Sequence, residues 1–131
     1  MVRRVARKTL AAEGYKEAQV SILFCSDAYI KKLNREYRKV DASTDVLAFS
    51  MHEGRFPKVH PEILGDVVIS LETASHQAKR YRHSLNKEIA LLVVHGILHL
   101  LGYDHLKKKD KELMRKREKQ ILAIISRKIG K

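Results

Sequence analysis

The sequence predicts an α+β fold, a small mixed sheet of three to four strands flanked by about five helices. Three observations carry this expectation. Helical and extended apolar patterns follow one another without strict βαβ alternation. The 131 residues are 44% hydrophobic, which is enough for a core and is the size of one domain, 1–131. The segment Asn86 to Leu101 is apolar almost all round, as a central buried helix must be.

The elements follow in order. Val2, Val5, Ala6 and Leu10 share one side of an amphipathic helix that runs to about Glu13, and Gly14 suits its end. Gln19 to Cys25 reads as a strand. Ser26 or Asp27 can cap the next helix, where Ile30, Leu33 and Tyr37 recur at helical spacing. Lys39 to Thr44 is a loop, and Val46 to Phe49 a short apolar strand. Residues 51–62 hold Gly54, Pro57 and Pro61 and read as a loop whose length suits a functional lip. Leu64 to Ser70 is a strong strand. Leu71, Ala74, Ala78 and Tyr81 mark another amphipathic helix. The central helix comes next and stops at Gly102. A final helix from Lys109 to about Lys128 uses Leu113, Met114, Ile121, Leu122 and Ile125.

Composition narrows the class. The longest apolar run, Ile89 to Val94, is far too short to span a membrane, and no secretory leader is evident at the N-terminus. Cys25 is the only cysteine and lies in an apolar strand, so it reads as a small buried hydrophobe. A reducing cytoplasm fits that usage. The formal net charge is +12, with Arg3, Arg4, Arg7 and Lys8 clustered at the start. Lys107, Lys108, Lys109, Lys111, Arg115, Lys116, Arg117 and Lys119 cluster near the end. Such a balance favours a polyanionic partner, RNA, DNA or an acidic membrane surface, with nucleic acid ahead of a merely solvated surface.

The most informative segment is H-G-I-L-H-L-L-G-Y-D-H, from His95 to His105. On a helix, residues four apart lie one turn apart on the same face, so His95 and His99 can aim two imidazoles at one ion. Gly102 permits a reversal that returns His105 to the same place. Three imidazoles suit one Zn²⁺ and leave a fourth position open, as catalytic sites do; Ni²⁺, Co²⁺ or Fe²⁺ suit them too. Water in that position becomes acidic enough to give hydroxide near neutral pH. His76 and His83 lack this spacing and read as surface or loop. So do His52 and His60, either of which can sit on a loop near the metal. The spacing matches the extended zincin pattern H-E-x-x-H-x-x-G-x-x-H, but Gly96 stands where a zinc peptidase keeps its proton-moving glutamate.

Three blocks together resemble the YbeY family of metal-dependent endoribonucleases, or rRNA maturation factors. Asn34 to Phe49, N-R-E-Y-R-K-V-D-A-S-T-D-V-L-A-F, is similar to the family's N-x-x-Y-R-x-x-D-x-P-T-D-V-L-S-F. Leu64 to Ser70, L-G-D-V-V-I-S, is the second block and the histidine segment the third. The resemblance spans roughly residues 19 to 125. It implies an α+β fold and zinc held by the three histidines. It also implies single-strand-specific cleavage of RNA, with a role in maturing the 3′ end of 16S rRNA and in ribosome quality control. That gives RNA and small-subunit ribosomal components as partners and the cytoplasm as location. Arg38 matches the family's functional arginine. Ser43 and Ala48 depart from the pattern, where the family has proline and serine. Members usually begin with a strand, whereas this chain begins in a helix.

These readings give a mechanism to look for. Hydroxide formed on the metal attacks a phosphodiester while the Arg38 guanidinium holds its non-bridging oxygens. A competing role for Arg38 is an ion pair to Asp41 or Asp45 that closes the loop. Asp104 and Asp66 are weak candidates for the general base; the first reads better as a turn or ligand-orienting group, the second as structural. Tyr103 can donate a hydrogen bond near the metal or pack in the core. Glu88 reads as an early-helix charge. The alternatives to an endoribonuclease are an RNA-binding assembly factor with a structural zinc site and, below it, a zinc peptidase.

Overall fold

The computed structural model of the chain describes residues 1–51, 62–103 and 108–129. The elements are α1 (Val2–Ala12), β1 (Gln19–Cys25), α2 (Asp27–Arg38), β2 (Val46–Ser50), β3 (Ile63–Ser70), α3 (Leu71–Arg80), α4 (Leu85–Leu100) and α5 (Lys108–Ile129). This is the expected α+β arrangement, with three strands and five helices among the described residues. Those residues open directly in α1, and no fourth strand occurs among them. Most of the 51–62 loop lies outside the described residues.

Serines start the helices. Ser26, Ser70 and Ser84 lie in extended backbone, and each hydroxyl accepts from the amide three residues on, at Tyr29, Thr73 and Lys87. This satisfies one of the orphaned donors of the first turn. Reversals end them. At α1 the chain turns at Gly14 (φ +83°), with the Tyr15 amide reaching back to the Leu10 carbonyl at 2.8 Å. α3 ends likewise, though the left-handed residue is Arg82 (φ +58°).

The sheet has the order β1-β3-β2. β1 runs parallel to β3, and β2 antiparallel to it. Register assigns the faces. Ile22, Val67 and Ala48 share one rung and face α4. Ser21, Asp66 and Phe49 share the adjacent rung and face the other way, towards α2. Gly65 lets the strands approach: a Cβ there would lie 2.1 Å from the Phe49 carbonyl oxygen.

The core lies between the inner sheet face and α4. Val67, Ile69, Val93, Val94, Ile97 and Leu98 are all essentially inaccessible to solvent. α4 also meets α1, α3 and α5, which explains its apolar character on every side. Val5, Ala6 and Leu10 of α1 and Met114, Ile121 and Ile125 of α5 complete this core.

Several readings need correction. Tyr37 and Leu113, placed on apolar stripes, are 64% and 54% exposed. Each sits at the margin of its helix's buried face, where the partner surface has ended. Cys25 is half-buried; burial pushes its thiol up, with Asp27 adding to the effect, so it remains a poor nucleophile. Glu88 is the early-helix charge expected, in the first turn of α4, but it is buried. It is 2% exposed and bonded to His83 Nε2 at 2.5 Å, which ties the turn before α4 to its first turn. His83 therefore faces inward from its loop. Arg117 leaves the basic cluster to pair with Glu13 and to donate to the Ala12 carbonyl at 2.8 Å.

A small polar knot joins the starts of α2 and α3. The Asp27 carboxylate accepts from the Ser70 hydroxyl and from Thr73 Oγ1, while its amide donates to Glu72 Oε1 at 2.7 Å. The Ser70 hydroxyl, and then that of Thr73, hold the Asp27 carboxyl below the ordinary carboxylate range. A depressed folded-state value means the stabilisation is full above the unfolded-state value, about 3.9, and is lost as pH falls through the folded one. Asp27→Ala should lower stability by about 2 kcal/mol at neutral pH. Chemical denaturation should show the gap to the parent protein closing below about pH 4. A gap that stays constant in acid would contradict this role.

Candidate functional site

The last two turns of α4 carry His95 and His99, so the helix brings together the pair the sequence singled out. The helix then closes through Gly102 (φ +106°). The Gly102 amide donates to the His99 carbonyl and the Tyr103 amide to the Leu98 carbonyl, each at 3.1 Å. These two bonds form the left-handed helix end expected of glycine. The third histidine, His105, and Asp104 lie outside the described residues, as do His52 and His60. Among the described residues no three His, Cys, Asp or Glu side chains converge as a metal site.

His95 has a partner that sequence reasoning missed. Its Nδ1 is 2.5 Å from Glu118 Oε2 on α5, and both side chains are mostly buried. Glu118 raises the His95 imidazole above its ordinary value, chiefly through that bond, against the opposing effect of burial; Asp45 adds a smaller pull. A signal for Glu118 was present. It lies on the stripe formed by Met114, Ile121 and Ile125, at helical spacing from each, so it is a charge on a buried face. Asp45 holds its own place through Gln77 Nε2, which donates to Asp45 Oδ2 at 3.3 Å.

Gly96 has a packing reason. A Cβ at this position would meet Val67 Cγ1 at 2.6 Å. The helix backbone rests on β3 there, and no glutamate side chain fits between them. Tyr103 reaches the end of α1, where its hydroxyl donates to Glu13 Oε1 at 2.9 Å. With Arg117 on the same carboxylate, this anchors the chain just past the Gly102 reversal.

The other predicted residues gather elsewhere. The Arg38 guanidinium donates to the Ala48 carbonyl and lies 4.9 Å above the Phe49 ring. Among the described residues it forms no ion pair with Asp41 or Asp45. Asp66 points into a groove on the outer sheet face, with the strand between it and α4. The structure thus separates Asp66 from His95 and His99, because neighbouring residues of a strand face opposite ways.

Comparison with known proteins gives the family. A family model described as Endoribonuclease YbeY matches residues 1–126. The chain belongs to the YbeY endoribonuclease family. It is 54% identical over 127 residues to the Endoribonuclease YbeY of Pelotomaculum thermopropionicum, which covers 94% of this chain and 83% of that protein. The Desulforamulus reducens protein of the same name is 48% identical over 126 residues, covering 93% and 82%. A solution structure of a Thermotoga maritima protein aligns with a TM-score of 0.67 at 25% identity, over 98% of this chain and 81% of that one. The YbeY family consists of endoribonucleases, hydrolases that cut RNA chains internally. Family membership accounts for the shared motifs, while the contacts of Gly96 and Glu118 give two of the motif's surroundings a physical cause.

Gly96→Ala tests the seating of the helix. Overpacking costs about 1–3 kcal/mol, offset by about 1 kcal/mol of improved helix propensity. The expected result is a net loss of roughly 1 kcal/mol in denaturant unfolding. A gain in stability would show that Val67 yields freely and that the contact does not fix the helix.

Proposed function

We propose that this endoribonuclease cuts single-stranded RNA with a metal ion held by His95, His99 and His105, with zinc as the ion. Its substrate is ribosomal RNA, in the maturation of the 16S 3′ end and in ribosome quality control, and it works as a single domain in the cytoplasm. The observation that carries the reading is the His95–Glu118 bond beside His99 one turn on. A carboxylate on Nδ1 is the usual companion of a metal-binding imidazole: it fixes the tautomer and assigns the metal to Nε2. The donor set fits a borderline ion such as Zn²⁺.

Bound there, the ion supplies water activation and neutralises charge on the scissile phosphate. The protein's own groups do the rest. Glu118 keeps the Nδ1 proton of His95 in place, so the ring binds as a neutral ligand. The same carboxylate makes the ring more basic, so protons compete with the metal as pH falls. Arg38 gives one donor to Ala48 and rests on Phe49, which leaves its remaining N–H groups for phosphodiester oxygens. The exposed bases Arg3 and Arg7 on α1, with Lys109, Lys111, Arg115, Lys116 and Lys119 on α5, offer phosphate contacts to an RNA strand. Exclusion of a side chain at position 96 speaks against peptidase chemistry, which needs a glutamate there.

Metal analysis alongside RNA cleavage tests this reading. The parent protein should lose cleavage on chelation and regain it with one added metal. His99→Ala should lose both metal and cleavage. Glu118→Gln should fold normally yet bind metal about 10–100-fold more weakly. Full metal occupancy in His99→Ala, or cleavage that survives chelation, would defeat the assignment. Arg38→Glu should keep its metal and its thermal unfolding profile but cut RNA at least about a hundredfold more slowly, in keeping with a lost oxyanion contact. Normal cleavage by that variant would remove Arg38 from the chemistry.

A further inference from the structure

The outer face of the sheet carries a groove of about 480 Å³, lined by Ser21, Leu23, Leu33, Tyr37, Phe49, Asp66 and Val68. Its volume lies within the roughly 300–1,000 Å³ of small-ligand sites. Three lining residues form one rung across the sheet. Asp66 of β3 stands directly between Ser21 of β1 and Phe49 of β2. The Tyr37 ring meets Phe49 edge-on, with centroids 5.7 Å apart, yet remains 64% exposed. Arg38 covers the Phe49 ring from the rim.

In a chain of net charge +12, the one charged group among the described residues lining this apolar groove is a carboxylate. Asp66 is exposed, and among the described residues no lysine or arginine pairs with it. Its two oxygens can only accept, so a ligand that satisfies them brings donors. Around it are aromatic surfaces on which a planar ring can stack, and at the rim is a cation able to take a phosphate.

The geometry points to a seat for one unpaired guanine of the RNA substrate, a role that rests on the endoribonuclease reading above. Guanine presents N1–H and N2–H side by side, which match the two oxygens of a carboxylate. Adenine and cytosine put an acceptor nitrogen next to their amino group, and uracil flanks its single N–H with two carbonyl oxygens. Each of the three therefore sets an acceptor against Asp66. The base stacks on the exposed Tyr37 ring, Asp66 takes its edge, and Arg38, lying over Phe49 at the rim, holds the phosphate beside that base, which is the phosphodiester to be cut. The groove thus selects sequence on one sheet face, while the histidines on α4 stand on the other side of β3.

Internal competition between three RNAs tests this. The oligomers are an all-uridine strand, the same strand with one central guanosine, and the same with inosine, which lacks the 2-amino group. The metal-loaded protein is offered all three together, and their relative rates of disappearance give ratios of kcat/KM. The guanosine strand should be consumed about tenfold faster than the other two, the discrimination of a bidentate base contact. Asp66→Asn should bring the ratios close to one, and Tyr37→Leu should slow all three strands. Equal consumption of the three by the parent protein, or an undiminished guanosine preference in Asp66→Asn, would overturn the guanine seat while leaving the endoribonuclease reading intact. Failure to cut any strand would overturn both.

Discussion

At the centre of the molecule the backbone of α4 lies against Val67 of β3, with no side chain between them at Gly96. Much of the structure depends on this contact. It sets the depth at which the helix sits on the sheet and therefore the height of His95 and His99 above it. Val93, Val94, Ile97 and Leu98 then fill the space on either side with no solvent access. α1, α3 and α5 pack around a helix already fixed by its floor. Because packed interiors tolerate changes of even one methylene poorly, the two imidazoles inherit the rigidity of the core.

Four of the fifteen carboxylates of this basic chain are used at joints. Glu118 joins α5 to His95, Glu13 joins α1 to both Tyr103 and Arg117, Glu88 joins His83 to the start of α4, and Asp27 joins α2 to α3. Three of these joints, at Glu118, Glu13 and Glu88, bear on α4 or on the chain that leaves it. The segment carrying His105 departs from Tyr103, whose hydroxyl is held on α1. Surface bases, by contrast, mostly face solvent, where they are free to meet phosphate.

The sheet divides the molecule's work. Its inner face holds the core and, through α4, the histidines. Its outer face is only partly covered by α2 and keeps aromatic rings and Asp66 within one groove, with Arg38 over the Phe49 ring. This division explains which parts of the site were legible in the sequence. Apolar periodicity and serine or glycine punctuation depend on local geometry, so the elements were readable to within a few residues. The spacing of His95 and His99 was readable for the same reason. Glu118 is 23 residues from His95 and meets it only through the packing of α5 on α4, and its one sequence trace was a charge on an apolar stripe. Asp66 stays a weak candidate for the general base in the sequence, because strand alternation alone does not say which face α4 covers. Tyr37 and Leu113 show the same gap: periodicity finds a helix's apolar side but not where the opposing surface stops.

The proposed site is defined by what would surround a metal ion bound there. X-ray absorption at the metal edge measures this directly in solution. Three imidazole nitrogens and a further light donor from solvent are expected, with the imidazole count falling to two in His105→Ala. A sulfur neighbour, or an unchanged first shell in that variant, would contradict the account.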